Sequence, residues 1–264
     1  MAIGMNSIYC DSYVDLFAYS TMAGQVVVND FKHRQRTIFV AMKLAILADP
    51  KQKAEWLSKQ SLASVELYWA SSLEHLIEAQ VDAYFDLLFQ PGKDRLMSLL
   101  SLNKPVFLSE VIHTLPTLIN AASPAIELKT PLSRLNAWPT FLKRDLIELA
   151  TDGTRKEEKA AGIFSALGWK CKWVPDIPGL ISARVIAMVI NEAYFTLQDE
   201  VSTKEEIDIA MKLGTNYPYG PFEWSELIGL RNIYQLLEEM SKTDPKYKAC
   251  DLLREETEQL SAWH

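Results

Sequence analysis

Two hydrophobic periods divide the chain. Up to about Trp173, short apolar runs rich in β-branched and aromatic residues, at positions 25–28, 83–89, 105–108, 145–149 and 172–174, alternate with stretches of helical spacing. That alternation predicts a parallel sheet covered by helices on both faces. Residues 34 to 62 read as helical with a break at Asp49-Pro50, since proline opens a helix more readily than it continues one. Thr154-Arg-Lys-Glu157 has the capping-box form, and Ala160, Ala161, Phe164 and Leu167 then share one side before Gly168 stops the helix. Pro175-Asp-Ile-Pro-Gly179 acts as punctuation, and only helical period follows it. Residues 180 to 200 are apolar and free of proline, as a central bundle helix would be. Ser202-Thr-Lys-Glu205 caps the next helix, Gly214 ends it, and two or three more reach the C-terminus. The expected organisation is an α/β domain over residues 1–174 and an all-α domain over 175–264.

Composition narrows the function classes. With 264 residues, 48% of them hydrophobic, the chain can bury a sizeable core. A net charge of −7 without clustered Lys and Arg argues against nucleic acid or an anionic membrane surface as partner. No apolar run reaches the ~18 residues of a membrane span, and no signal-peptide pattern opens the chain, so a cytoplasmic protein is expected. Cys10, Cys171 and Cys250 are odd in number and far apart, which fits reduced thiols. Four histidines with no His/Cys cluster at ligand spacing predict no metal site.

The most specific stretch is Gly214-Thr-Asn-Tyr-Pro-Tyr-Gly-Pro-Phe-Glu-Trp-Ser-Glu-Leu-Ile-Gly-Leu230. It resembles the G-x-x-x-P-x-G-P-F-E…G-L signature of the C-terminal domain of 3-hydroxyacyl-CoA dehydrogenases. Asp176-Ile-Pro-Gly-Leu-Ile181, Asn191-Glu-Ala193 and Glu206-Ile-Asp208 resemble further motifs of that family, in order. The resemblance implies a Rossmann-like first domain, then a helical bundle of the 6-phosphogluconate dehydrogenase C-terminal type. It also implies NAD as cofactor and a 3-hydroxyacyl-CoA substrate; a homodimer through the helical domain is expected separately, because helices with a broad apolar face often pair about a two-fold axis.

Residue by residue, the resemblance places the glycine-rich phosphate turn at Gly4-Met-Asn-Ser-Ile-Tyr9, with Gly4 kept, Asn6 able to adopt positive φ and Tyr9 at the crowded helix start. Residues 24–30 resemble the second strand, ending in Asp30 for the adenine ribose, and residues 81–86 resemble the A-D-x-V-I-E strand with Asp86 in place of Glu. Leu135-Asn-Ala-Trp-Pro139 takes the place of H-F-F-N-P, so Leu135 stands for the basic histidine and Trp138 for the asparagine. Glu148 resembles the histidine's carboxylate partner, with a structural ion pair as the alternative, while Ser109 resembles the serine of S-N-T-S and Ala183 replaces a further asparagine.

Neither Leu135 nor Trp138 can transfer a proton, and side chains in the phosphate turn oppose the pyrophosphate. Three readings follow. The favoured one is a family member with little or no dehydrogenase activity that holds an acyl-CoA-like ligand or a protein partner. The second is an active NAD(P)-dependent oxidoreductase with a displaced base such as His113. The third is a non-catalytic dimer.

Overall fold

The computed structural model describes residues 26–27, 37–38, 41–59, 65–123, 130–151 and 154–262. Its strands are β1 (Val26–Val27), β2 (Thr37–Ile38), β3 (Met42–Leu47), β4 (Val65–Ala70), β5 (Ala83–Asp86), β6 (Val106–Ser109), β7 (Leu132–Leu135), β8 (Leu146–Thr151) and β9 (Lys170–Trp173). Among the described residues five helices accompany them: α1 (Pro50–Ser58), α2 (Leu73–Glu78), α3 (Lys93–Leu100), α4 (Leu115–Ala122) and α5 (Thr154–Ala166).

β3 to β9 form one seven-stranded sheet in the order β4-β3-β5-β6-β7-β8-β9, parallel except where β8 runs against β7. The chain leaves β3 for β4 on one side and returns to β5 on the other, so the strand order reverses at β3. That is the Rossmann arrangement, with its crevice at the carboxyl ends of β3 and β5. One face of the sheet buries Leu44, Ile46, Phe85, Phe107 and Leu135 with Trp56 of α1 and Phe164 of α5. The other buries Ala45, Leu47, Tyr84, Val106 and Leu108 under α2, α3 and α4.

Two sequence expectations change here. Residues 42–47, read as part of a helix, are the central strand: successive side chains enter opposite core layers, and a run buried on both faces has no alternation to mark it. Val26–Val27 is not the second strand of the sheet. It pairs antiparallel with Thr37–Ile38 in a separate two-stranded ribbon, and the place beside β3 belongs to β4. Gly4, Asn6, Tyr9 and Asp30 lie outside the described residues.

After β9 every element among the described residues is helical: α6 (Ser182–Gln198), α7 (Lys204–Thr215), α8 (Pro221–Ile228), α9 (Leu230–Ser241), a 3-10 turn (Pro245–Tyr247) and α10 (Asp251–Ala262). α6 is central and contributes Ile186, Ala187, Ile190 and Tyr194 to a core shared with Phe222, Trp224, Ile233 and Leu237. Thr203 and Glu206 form the capping box of α7, which passes Gly214 and closes on Asn216 in the left-handed region (φ 56°). The junction is tied down by Arg134 on β7. Its guanidinium pairs with Asp176 and donates to the carbonyls of Ile177 and Val111, while Asp176 Oδ2 accepts from the Leu115 N–H at 2.9 Å.

Candidate functional site

The crevice at the strand reversal is lined by the β3–α1 turn, Leu47-Ala-Asp-Pro-Lys-Gln52, which contains no glycine. Pro50 opens α1, and Asp49 caps it: Asp49 Oδ1 accepts from the Gln52 N–H at 2.8 Å, and Gln52 Oε1 accepts from the Asp49 N–H at 3.1 Å. A carboxylate of the chain itself therefore occupies the positive end of the helix dipole, where a Rossmann domain receives pyrophosphate. The Gln52 amide is buried and donates to the carbonyls of Leu87, just past β5, and Ala137, just past β7, at 2.9 and 3.0 Å. One side chain thus joins three loops across the mouth of the crevice. Beside it, Asp86 ends β5 fully buried, held by Arg95 through contacts of 2.6 and 2.8 Å. Burial pushes the Asp86 carboxyl upward, and Arg95 opposes that shift.

The other residues singled out by sequence surround the end of β7. Leu135 pairs in register with Ser109 on β6 and Leu149 on β8, and its side chain is buried in the sheet core. Trp138, partly buried, packs against the helical core. Glu148 accepts from the N–H groups of Ile181 and Ser182 at 3.0–3.1 Å and so caps α6, and its charge also acts on the guanidinium of Arg144. Ala183, the next residue of α6, is fully buried.

Two polar residues join this group without having been singled out. Asn136 is buried; its Oδ1 accepts from the Trp138 N–H at 3.0 Å and its Nδ2 lies 3.4 Å from Ser182 Oγ. Ser109, Asn136, Glu148 and Ser182 therefore stand around the carboxyl end of β7. The signal for Asn136 was its polar character inside an apolar strand end, and for Ser182 its place beside the Pro-Gly entry to α6.

His113 stands apart. It follows Glu110, whose Oε1 accepts from the N–H groups of Ile112 and His113 and whose Oε2 lies 3.5 Å from His113 Nδ1. Glu110 raises the imidazole's pKa against the effect of burial, and Glu239 of α9 adds to the rise. Among the described residues no group of three or more His, Cys, Asp or Glu side chains could hold a metal, and no helix is long and apolar enough to cross a membrane. Two open concavities, of about 370 and 490 Å³, lie elsewhere, beside Tyr68 and beside Lys59.

Residues 179–260 match the family described as "3-hydroxyacyl-CoA dehydrogenase, C-terminal domain". Over 84 residues, 31% of this chain and 18% of the relative, it is 43% identical to 3-hydroxyadipyl-CoA dehydrogenase of Escherichia coli. Over 114 residues, 41% of this chain and 40% of the relative, it is 35% identical to a probable 3-hydroxybutyryl-CoA dehydrogenase of Bacillus subtilis. The chain thus spans less than half the length of these relatives. Crystallised (S)-3-hydroxybutyryl-CoA dehydrogenase from Ralstonia eutropha superposes with a TM-score of 0.62 at 18% identity, covering 81% of this chain and 93% of that one, a likeness of fold. Over its helical C-terminal part, residues 179–260, the chain is therefore similar to the C-terminal domain of 3-hydroxyacyl-CoA dehydrogenases.

Proposed function

We propose that this protein keeps the architecture of a 3-hydroxyacyl-CoA dehydrogenase but has little or no dehydrogenase activity, and serves as a binding protein for an acyl-CoA-like ligand. The observation that carries the reading is the β3–α1 turn: it has no glycine, its helix start is capped by Asp49, and Gln52 is bonded across the crevice. The residues present do not fit NAD. A dinucleotide needs bare backbone N–H groups and room at that helix start, and both are taken. The end of β7 supports the same reading, since Leu135 offers no base and Glu148 is directed to the α6 start instead of an imidazole. Without a general base the reaction loses ~10²–10⁴ in rate, independently of the cofactor.

The proposal includes a homodimer. Val185 of α6, Ile209 and Leu213 of α7, and nearby Ile181 and Val201 are large apolar residues left exposed. A second copy of the chain would cover them about a two-fold axis. Sedimentation at micromolar concentration should give a mass twice that of the chain.

The decisive experiment measures NAD and NADP binding by calorimetry, and reduction of either with short- and medium-chain 3-hydroxyacyl-CoAs. No turnover and no micromolar nucleotide binding are expected, while an acyl-CoA should raise Tm by mass action. Turnover near the ~10 s⁻¹ typical of enzymes would overturn the proposal.

A further inference from the structure

We propose that Lys59 is a nucleophilic amine that takes acyl groups from activated donors whose leaving group carries phosphate, gathered by Lys143 and Lys170 in the concavity beside it. The concavity lies outward of the β7–β8 loop and the start of β9, shares no lining residue with the group around the end of β7, and the inference stands whatever that group binds.

Lys59 follows α1 and is half-buried. Its Nζ donates to the carbonyl of Arg144 and lies 4.5 Å from the centre of the Trp169 ring. The adjoining concavity, about 490 Å³ and open to solvent, is lined by Lys59, Lys143, Asp145, Trp169 and Lys170, among others. Lys143 and Lys170 are exposed, and the Tyr219 hydroxyl that Lys143 reaches at 3.0 Å leaves its charge in place. Two cations thus flank one amine in a hollow large enough for a phosphate-bearing group, with Asp145 as the opposing charge.

Burial lowers the Lys59 pKa from 10.5 to about 8; Asp145 works the other way, and so does the aromatic ring, but burial dominates. At pH 7.5 such an amine is neutral about two orders of magnitude more often than an ordinary exposed lysine. Its lower basicity gives back part of that advantage. The step is acyl transfer without redox change. The Nζ lone pair adds to the donor carbonyl carbon and a C–N bond forms. The C–S bond of a thioester, or the C–O bond of an acyl phosphate, breaks with its electron pair on the leaving group, and the amine's proton passes to water.

The test incubates the whole chain at pH 7.5 with acetyl-CoA, with acetyl phosphate, and with the uncharged ester N-acetoxysuccinimide, and follows each lysine by peptide mass spectrometry. Lys59 should react about tenfold faster than exposed Lys51 and Lys93 with the neutral ester and with at least one phosphate-bearing donor. Whichever donor reacts faster identifies the leaving group that the concavity takes. In Lys143→Glu/Lys170→Glu the two new carboxylates, like Asp145, favour the charged amine and slow both reactions somewhat, but reaction of Lys59 with that donor should fall several-fold further than reaction with the neutral ester, which also reports that the fold around Lys59 is intact. Lys59→Arg should lose the adduct. A Lys59 no faster than Lys51 and Lys93 overturns the proposal, and so does a double variant that leaves the phosphate-bearing donor's rate unaltered or lowers both rates equally.

Discussion

The helical part and the sheet part treat their buried polar residues alike, yet the match to the C-terminal domain of 3-hydroxyacyl-CoA dehydrogenases lies in the helical part. In the helical part the motif residues close helix ends. Asp208 accepts from the N–H groups of Phe222 and Glu223 at 2.8 and 3.0 Å, capping α8 from a neighbouring helix, and Gly220 leaves room for its carboxylate. Asn191 similarly bonds the Lys248 carbonyl and the Cys250 N–H at 3.0 and 2.8 Å. In the sheet part, Gln52 and Glu148 hold backbone, Asp86 holds Arg95, and Arg134 holds Asp176 and backbone, at the strand ends where chemistry would be performed. The difference teaches that a motif can persist for packing alone. The Pro-x-Gly-Pro-Phe turn identifies a family because of how two helices meet, and it carries no information on whether the strand ends still do chemistry.

The largest effect should come from the junction of the two parts. Arg134→Met leaves Asp176 with little solvent and no cation, and removes donors from three carbonyls, those of Glu110, Val111 and Ile177. Breaking one side of a buried pair costs about 3–5 kcal/mol, whereas Arg134→Met/Asp176→Leu should recover much of it. Urea unfolding followed by tryptophan fluorescence measures both. A loss under about 1 kcal/mol for the single variant would mean that the junction does not depend on this pair.

Next in size is Gly220→Ala. With φ at −74° the backbone tolerates any residue, but an added Cβ would lie 2.2–2.4 Å from Asp208 atoms. Overpacking and a displaced cap together should cost about 2–4 kcal/mol in urea unfolding. If Asp208→Ala/Gly220→Ala proves no more stable than Gly220→Ala, the close contact is not what requires glycine there.

Gln52→Ala tests the sheet part. It strands the carbonyls of Leu87 and Ala137 and should cost about 1–3 kcal/mol in the same assay. Opening the crevice should not create NAD binding, because Asp49 still caps the helix start. Micromolar NAD binding by the variant in calorimetry would show that Gln52 alone had closed the crevice.

Much of this was legible in the sequence, for physical reasons that also explain the gaps. Residues 83–89, 105–108 and 145–149 read as strands because short apolar runs are bounded by turn residues, and strands lie there at 83–86, 106–109 and 146–151; the Pro175–Gly179 punctuation marks where strands cease. β3 was misread because Met-Lys-Leu-Ala-Ile-Leu is buried on both faces, and β4, half-exposed, lacked a clean alternation. At the site, motif spacing placed Leu135, Glu148 and Ala183 around one strand end. It could not reveal Gln52, whose acceptors lie 35 and 85 residues away, or Arg134, whose carboxylate is 42 residues away. Such partners are set by strand order, which local pattern does not encode.

The smallest predicted effect is the one that separates the two parts' claims on chemistry. A displaced base at His113 would have to be neutral at working pH, but Glu110 beside it, with Glu239 of the helical part, holds its pKa above the ordinary 6.5. The folded value being the higher one, the imidazolium's contribution to stability is fully present below about pH 6.5 and is lost as pH rises through the folded value. His113 is one-third exposed, so that contribution is screened and should stay under about 1 kcal/mol. Proton NMR should place the His113 midpoint above 6.5, Glu110→Gln should lower it, and the stability gap between wild type and His113→Gln should narrow from pH 6 to pH 8. A midpoint below 6.5 would give the sheet part a neutral imidazole beside its strand ends, and with it the strongest reason to look there for residual catalysis.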